Sequence, residues 1–186
     1  DVLYGTDPSA EIISNPSQAR LLNAAKLSGR TTGGLGIGVF NAIEGETVAV
    51  VKDSAGVEST TITGPRSNYN VLVFDQSLKN NSFITFTNTN VLRENAFNDA
   101  NVTAVNFSFN DKPNVWAIEG GGAYSQKYTG VENAANNGIY HYLSAGKSGG
   151  KRRFALGYEY TGATYDNNDL GFLPINNLLN FFANTS

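Results

Sequence analysis

The sequence predicts an all-β fold: an antiparallel up-and-down meander of about ten strands that forms part or all of an outer-membrane-type β-barrel. Three observations carry the prediction. Charged residues are only 16% and hydrophobic residues only 40% of 186 residues, with 20 glycines, one Trp, nine Tyr and eleven Phe. That composition suits strands and gives long amphipathic helices little to work with. Strand-like runs follow one another with turn residues between them, and several reach the nine to eleven residues that a tilted membrane-crossing strand needs. Finally, tight turns alternate with longer polar segments, the asymmetry of barrels with short turns at one end and loops at the other.

Residues 1–21 read as an irregular lead-in, because Pro8 and Pro16 interrupt any ladder. The barrel-like domain occupies 22–173, and 174–186 is a tail or the start of a further element. Candidate strands are 22–30, 35–43, 47–52, 57–63, 68–78, 82–93, 101–110, 114–128, 138–147 and 152–162. Thr31-Thr32-Gly33-Gly34, Asn80-Asn81, Asp111-Lys112-Pro113-Asn114 and Ser148-Gly149-Gly150 supply tight turns, whereas 94–100 and 130–137 are longer and polar.

Alternation separates two faces in the later strands. Phe107, Phe109, Trp116, Tyr124, Phe154, Tyr158 and Tyr160 fall on aromatic faces, which in a barrel meet lipid and in a soluble sandwich form the core. Aromatics at strand ends favour the barrel, since interfacial girdles sit there. The opposite faces carry small residues with Glu119, Lys127, Arg153 and Glu159, the make-up of a charge-balanced lumen. The stretch NSFITFTNTNVL, 81–92, is the difficult one. Ile84, Phe86 and Leu92 would face lipid, yet Asn88 and Asn90 share that face.

Composition and motifs remove several classes. There is no cysteine, so disulfides and thiolate chemistry are excluded, and no basic block that would suit nucleic acid. Gly33-Gly34-Leu35-Gly36-Ile37-Gly38 lacks the following helix of a dinucleotide loop, and Gly146-Lys147-Ser148 has His141 where a phosphate loop needs its first glycine. His141 is the only histidine, which leaves no multi-histidine metal site. Glu119 and Glu159 could be imagined as a glycosidase pair. Asp166-Asn167-Asn168-Asp169 is oxygen-rich but lacks the glycine and distal glutamate of a calcium-binding EF-hand loop, so a loop cap is preferred and calcium is the minor alternative. No catalytic residue, metal or cofactor is assigned.

Beyond periodicity, the segments Ala24–Thr31, Gly34–Ala42, Asn68–Gln76, Asn88–Arg93, Asp99–Thr103 and Tyr165–Phe172 resemble, in order, a Bacteroidetes envelope family of unknown function, family 5916. The resemblance implies full-length members that join an N-terminal family 9-like carbohydrate-binding module to a long C-terminal β domain of the outer-membrane barrel kind. It would place this chain inside the C-terminal domain, as an internal fragment with more protein on both sides. The sugar module's ligand residues have no counterpart here, and the family carries no agreed catalytic residues. The expected role is a non-enzymatic outer-membrane segment with outer-membrane lipid as its partner. Glycan would bind through a module absent from this chain, and other envelope proteins are further partners. Two alternatives stay open: a soluble secreted β-sandwich that binds carbohydrate, and a glycan hydrolase using Glu119 and Glu159.

Overall fold

A run such as Phe83-Ile84-Thr85-Phe86-Thr87 is built from β-branched and aromatic residues that pack well on a pleated surface. The computed structural model describes residues 11–94, 98–129 and 134–185, and their regular structure is entirely β. The strands are β1 (Glu11–Ser14), β2 (Leu21–Arg30), β3 (Leu35–Glu44), β4 (Thr47–Lys52), β5 (Glu58–Gly64) and β6 (Ser67–Ser77). They continue with β7 (Phe83–Arg93), β8 (Asp99–Asn110), β9 (Trp116–Thr129), β10 (Ala134–Lys147), β11 (Phe154–Thr161) and β12 (Leu178–Thr185).

Two antiparallel sheets result. Nine strands pair in the order β12-β11-β10-β9-β8-β7-β6-β3-β2, and β1-β4-β5 form a separate three-stranded sheet. The expected single meander is therefore corrected at three places. Thr47–Lys52 and Glu58–Gly64 are strands, but they leave the meander as a hairpin while β3 pairs directly with β6. Glu11–Ser14, inside the predicted irregular lead-in, pairs with β4. Leu178–Thr185, inside the segment 174–186 expected to be a tail or the start of a further element, is a strand that extends the sheet at β11. The sheet does not close into a barrel among the described residues, where β2 and β12 each pair on one side only.

Turn chemistry explains the tight end. Asn80 and Asn81 both adopt positive φ, 59° and 58°, as the two central residues of a type I′ hairpin require. Asn tolerates that region better than other residues with a Cβ. At the β8–β9 turn the Asp111 carboxylate accepts from the Val115 and Trp116 amides at 2.7 and 3.0 Å, and Asn114 takes the left-handed position at φ 54°. The four tight turns, at 31–34, 78–82, 111–115 and 148–153, share one end of the sheet. The β4–β5 excursion and the connections after β7, β9 and β11 share the other.

Burial in the large sheet is inverted relative to a soluble sandwich. Gly36, Ala42, Ser67, Val91, Ala100, Ser108, Ser125, Gly138 and Thr161 are buried, and register places all of them on one face. On the opposite face Leu27, Ile37, Val39, Phe74, Ile84, Val105, Phe109, Ile118, Leu143 and Leu156 are exposed. Val91 is the only large side chain that is fully buried among the described residues. A sandwich would have hidden the large residues and shown the small ones.

Candidate functional site

The register assembles the aromatic face strand by strand. Ile37, Phe74, Phe86, Val105, Gly122, His141 and Tyr160 form one cross-strand row. Ile84, Phe107, Gly120, Leu143, Tyr158 and Phe181 form the next, nearer the tight turns. Gly120 is needed in that row: a Cβ there would lie 2.6 Å from the Phe107 ring and 3.0 Å from Leu143. Phe107 and Phe109 stack at 5.0 Å, and Trp116 meets Phe154 edge-on at 5.7 Å at the tight-turn border. Tyr124 and Tyr160 mark the far border, where His141 lies 5.1 Å from the Tyr160 ring. All seven aromatic positions singled out from the sequence lie on this face.

Beyond that border the same face becomes amide-rich. Asn41 donates to Asn68 and Asn70 at 2.6 and 2.8 Å, Asn88 donates to Asn101 and Thr103 at 2.9 Å each, and Asn101 donates to Gln126 at 3.2 Å. Asn88 and Asn90, a flaw when β7 is read alone, belong to this band. Its carboxamides sit beside one another because antiparallel register aligns them across β3, β6, β7, β8 and β9.

The small-residue face carries the charges. Glu119 lies on it opposite Ser108 and Ser144, and Glu159 lies on it opposite Tyr142 and Asn180. Arg153 precedes β11 at the tight-turn end rather than standing within a strand. Glu159 accepts a hydrogen bond from Tyr140 at 2.9 Å. Glu119 and Glu159 are separated by β10 and offset along the strands, which puts their backbones roughly 12 Å apart from strand spacing and rise. They are not cross-strand neighbours in the register.

What the register does bring together lies at the long-loop end. The connection between β11 and β12 folds back across the small-residue face. Arg93 pairs with Asp169 at 2.7 Å, and Lys127 reaches Asp166 at 3.2 Å and Asp169 at 3.6 Å. The Ser125 hydroxyl accepts from the Asp166 amide at 3.1 Å, and the Thr164 hydroxyl donates to the Asn137 carbonyl at 2.6 Å. Tyr165 is buried with its backbone directly over Gly138, where no Cβ would fit. Burial raises the Tyr165 phenol above its ordinary value. The Asp166 carboxyl is held below its ordinary value, first by the Asn168 backbone amide and then by Lys127.

The 166–169 cluster is thus a latch between loop and sheet, with its carboxylates spent on Arg93 and Lys127. No group of three metal-ligating side chains occurs among the described residues. Sequence reading had singled out Lys127 and the acidic cluster separately. It missed Arg93, Ser125, Tyr165 and Gly138, because the partners lie far apart in the chain, as the 76-residue separation of Arg93 and Asp169 illustrates.

Fold and site define a class: an antiparallel β protein with one broad apolar face exposed and one small-residue face on whose long-loop end the β11–β12 connection is seated. The family described as Domain of unknown function (DUF5916) matches residues 4–186, so the chain belongs to that family. No curated protein and no solved structure matches the chain.

Proposed function

We propose that this chain forms part of the wall of an outer-membrane-type β-barrel, with the aromatic face toward lipid and the small-residue face toward the interior. The observation that carries the reading is the zoning of one face. An apolar zone starts at Trp116 and Phe154, ends at Tyr124 and Tyr160, and gives way to an amide band on the long-loop side. From Trp116 to Tyr124 is about 27 Å along the strand at roughly 3.4 Å per residue. A tilt near 40° reduces this to roughly 20 Å of height, close to the apolar band of such barrels.

Lipid also supplies what the exposed belt otherwise lacks. Contiguous apolar surface on this scale marks a membrane or partner contact in proteins that are not misfolded. The amide band then stands beyond the hydrocarbon, where Asn88 and Asn90 cost little. The interior face holds Glu119, Lys127 and Glu159, as polar lumens do. The loop latched through Arg93 and Lys127 narrows that interior at its long-loop end. The role is that of an envelope component without chemistry of its own, and any glycan handling falls to the interior or to attached modules.

The soluble carbohydrate-binding sandwich would need a second layer over Leu27, Val105, Phe109 and Leu143. The hydrolase would need Glu119 and Glu159 within reach of one bond. The test is fractionation of the expressed protein. A barrel remains in membranes until detergent is added and migrates differently on a gel before and after boiling. Release by buffer or carbonate alone would overturn the proposal.

A further inference from the structure

The register gathers the basic residues of the tight-turn end into one patch. Lys79, Lys112, Lys147, Lys151, Arg152 and Arg153 all fall in or beside three of the four tight turns. Hydrogen bonds join those turns side by side. The Ser148 and Gly149 amides donate to the Val115 carbonyl at 2.8 and 3.2 Å, and the Asn81 carboxamide donates to that of Asn114 at 3.2 Å. The one carboxylate within the turns, Asp111, is turned onto the backbone amides of Val115 and Trp116. Arg30, at the fourth turn, is spent on Asp75. Among the described residues none of the six cations makes an ion pair, and all but the half-buried Lys147 are exposed.

The two ends of the sheet thus differ in sign. At the long-loop end Arg93 and Lys127 meet Asp166 and Asp169, Arg66 meets Glu94, and Glu46, Asp53 and Glu58 stand exposed. Position decides what the basic end faces. Lys147 is the last residue of β10 on the aromatic face, and register sets it between Trp116 and Phe154, whose rings meet edge-on at the apolar border. Its ammonium reaches back over the following turn, 3.6 Å from where a Cβ on Gly150 would stand. A lysine flanked by aromatics, with its charge lifted off the apolar zone, has the arrangement of an interfacial anchor. Just past hydrocarbon lies the headgroup layer, where each Lys or Arg favours an anionic lipid surface by about fivefold in affinity.

We propose that the tight-turn end is a binding site for the phosphate groups of anionic phospholipids, held by Lys112, Lys147, Lys151, Arg152 and Arg153 beside Trp116. Arginine suits that ligand because its planar fork meets two phosphate oxygens at once. The proposal rests on the barrel reading and adds to it a lipid class and the end of the sheet that takes it. A soluble polyanion would use the cations alone, whereas a phospholipid uses the cations and the aromatic border together.

Trp116 is the single tryptophan of the sequence, so its fluorescence reads the lipids beside the patch. The membrane-extracted protein is placed in vesicles of phosphatidylcholine with a minor share of phosphatidylglycerol. Bromine, which quenches indole on contact, is carried on the acyl chains of one lipid or the other, and Trp116→Phe supplies the blank. Bromine on phosphatidylglycerol should quench Trp116 at least about threefold more than its share of the lipid predicts. High salt, which screens exposed charges, should remove that excess without any substitution. Lys147→Gln, Arg152→Gln and Arg153→Gln together should also remove it, whereas Arg20→Gln, Lys52→Gln and Arg66→Gln together should leave it. Quenching by lipid share alone in the parent, an excess that survives salt or the first triple variant, or an equal loss in the second would each overturn the proposal. Quenching by neither lipid would instead refute the barrel reading, since Trp116 would then not border hydrocarbon.

Discussion

The two faces of the nine-stranded sheet hide opposite things. One conceals its smallest residues, among them Gly36, Ala42, Ala100 and Ser125, while the other displays Phe109, Ile118, Leu143 and Leu156. In water the hydrophobic effect would drive the reverse, at about 25 cal/mol for each Å² of apolar surface removed. The difference is the one expected if, as proposed, the aromatic face meets lipid and the small-residue face a polar interior. The amide band sharpens the comparison, because a single face changes from apolar to carboxamide side chains part-way along its strands.

The largest expected effect comes from charging the centre of the apolar zone. Leu143→Arg should destabilise the membrane-inserted form by about 2–4 kcal/mol, whereas Asn90→Arg in the amide band should cost about 0–1 kcal/mol. Urea titration of the heat-modifiable form measures both, and equal costs would break the zoning. On the opposite face, exposed Glu119→Lys should stay within roughly 0.5 kcal/mol of the parent by the same titration.

Next in size is the seat of the inward loop. Gly138→Val forces a side chain into the Tyr165 backbone and should cost about 1–3 kcal/mol, the usual range for overpacking. Protease cleavage within 162–177 should rise in that variant while the strands stay protected. Asp169→Asn, which weakens pairing with Arg93 and Lys127, should loosen the loop by about 1–3 kcal/mol, the scale of a charge-assisted hydrogen bond. The same cleavage assay reads it, and unchanged cleavage would mean that the latch is not what holds the loop.

The smallest effect is a pH dependence. Because the Asp166 carboxyl is depressed when the loop is docked, its contribution is present above the undocked value near 3.9 and is lost as pH falls through the docked value. Loop cleavage by an acid-tolerant protease should therefore rise only below about pH 4. Asp166→Asn should flatten that part of the profile.

Much of the strand framework was legible because alternation and turn residues are local. The run 68–78 became Ser67–Ser77 and 82–93 became Phe83–Arg93. Alternation says which side chains share a face but not which strand is the neighbour, so the departure of β4 and β5 into their own sheet left no local mark. β12 was missed because Leu178-Leu179 and Phe181-Phe182 are apolar doublets that break the two-residue period. The amide band needs the register of several strands at once; read one strand at a time, Asn88 is a defect. The loop latch was hidden for the same reason, since Arg93 and Lys127 are ordinary strand-end charges until the fold brings Asp166 and Asp169 to them.

The central claim is that the two faces meet different media, and spin labels on adjacent strands, one on each face, test it most directly. A label at Phe107 on the aromatic face and another at Thr87 on the opposite face are read for collision with oxygen, which concentrates in lipid, and with a water-soluble nickel chelate. The account predicts high oxygen and low nickel accessibility at 107, with the order reversed at 87. Strong nickel accessibility at 107 in the membrane-bound protein would contradict it.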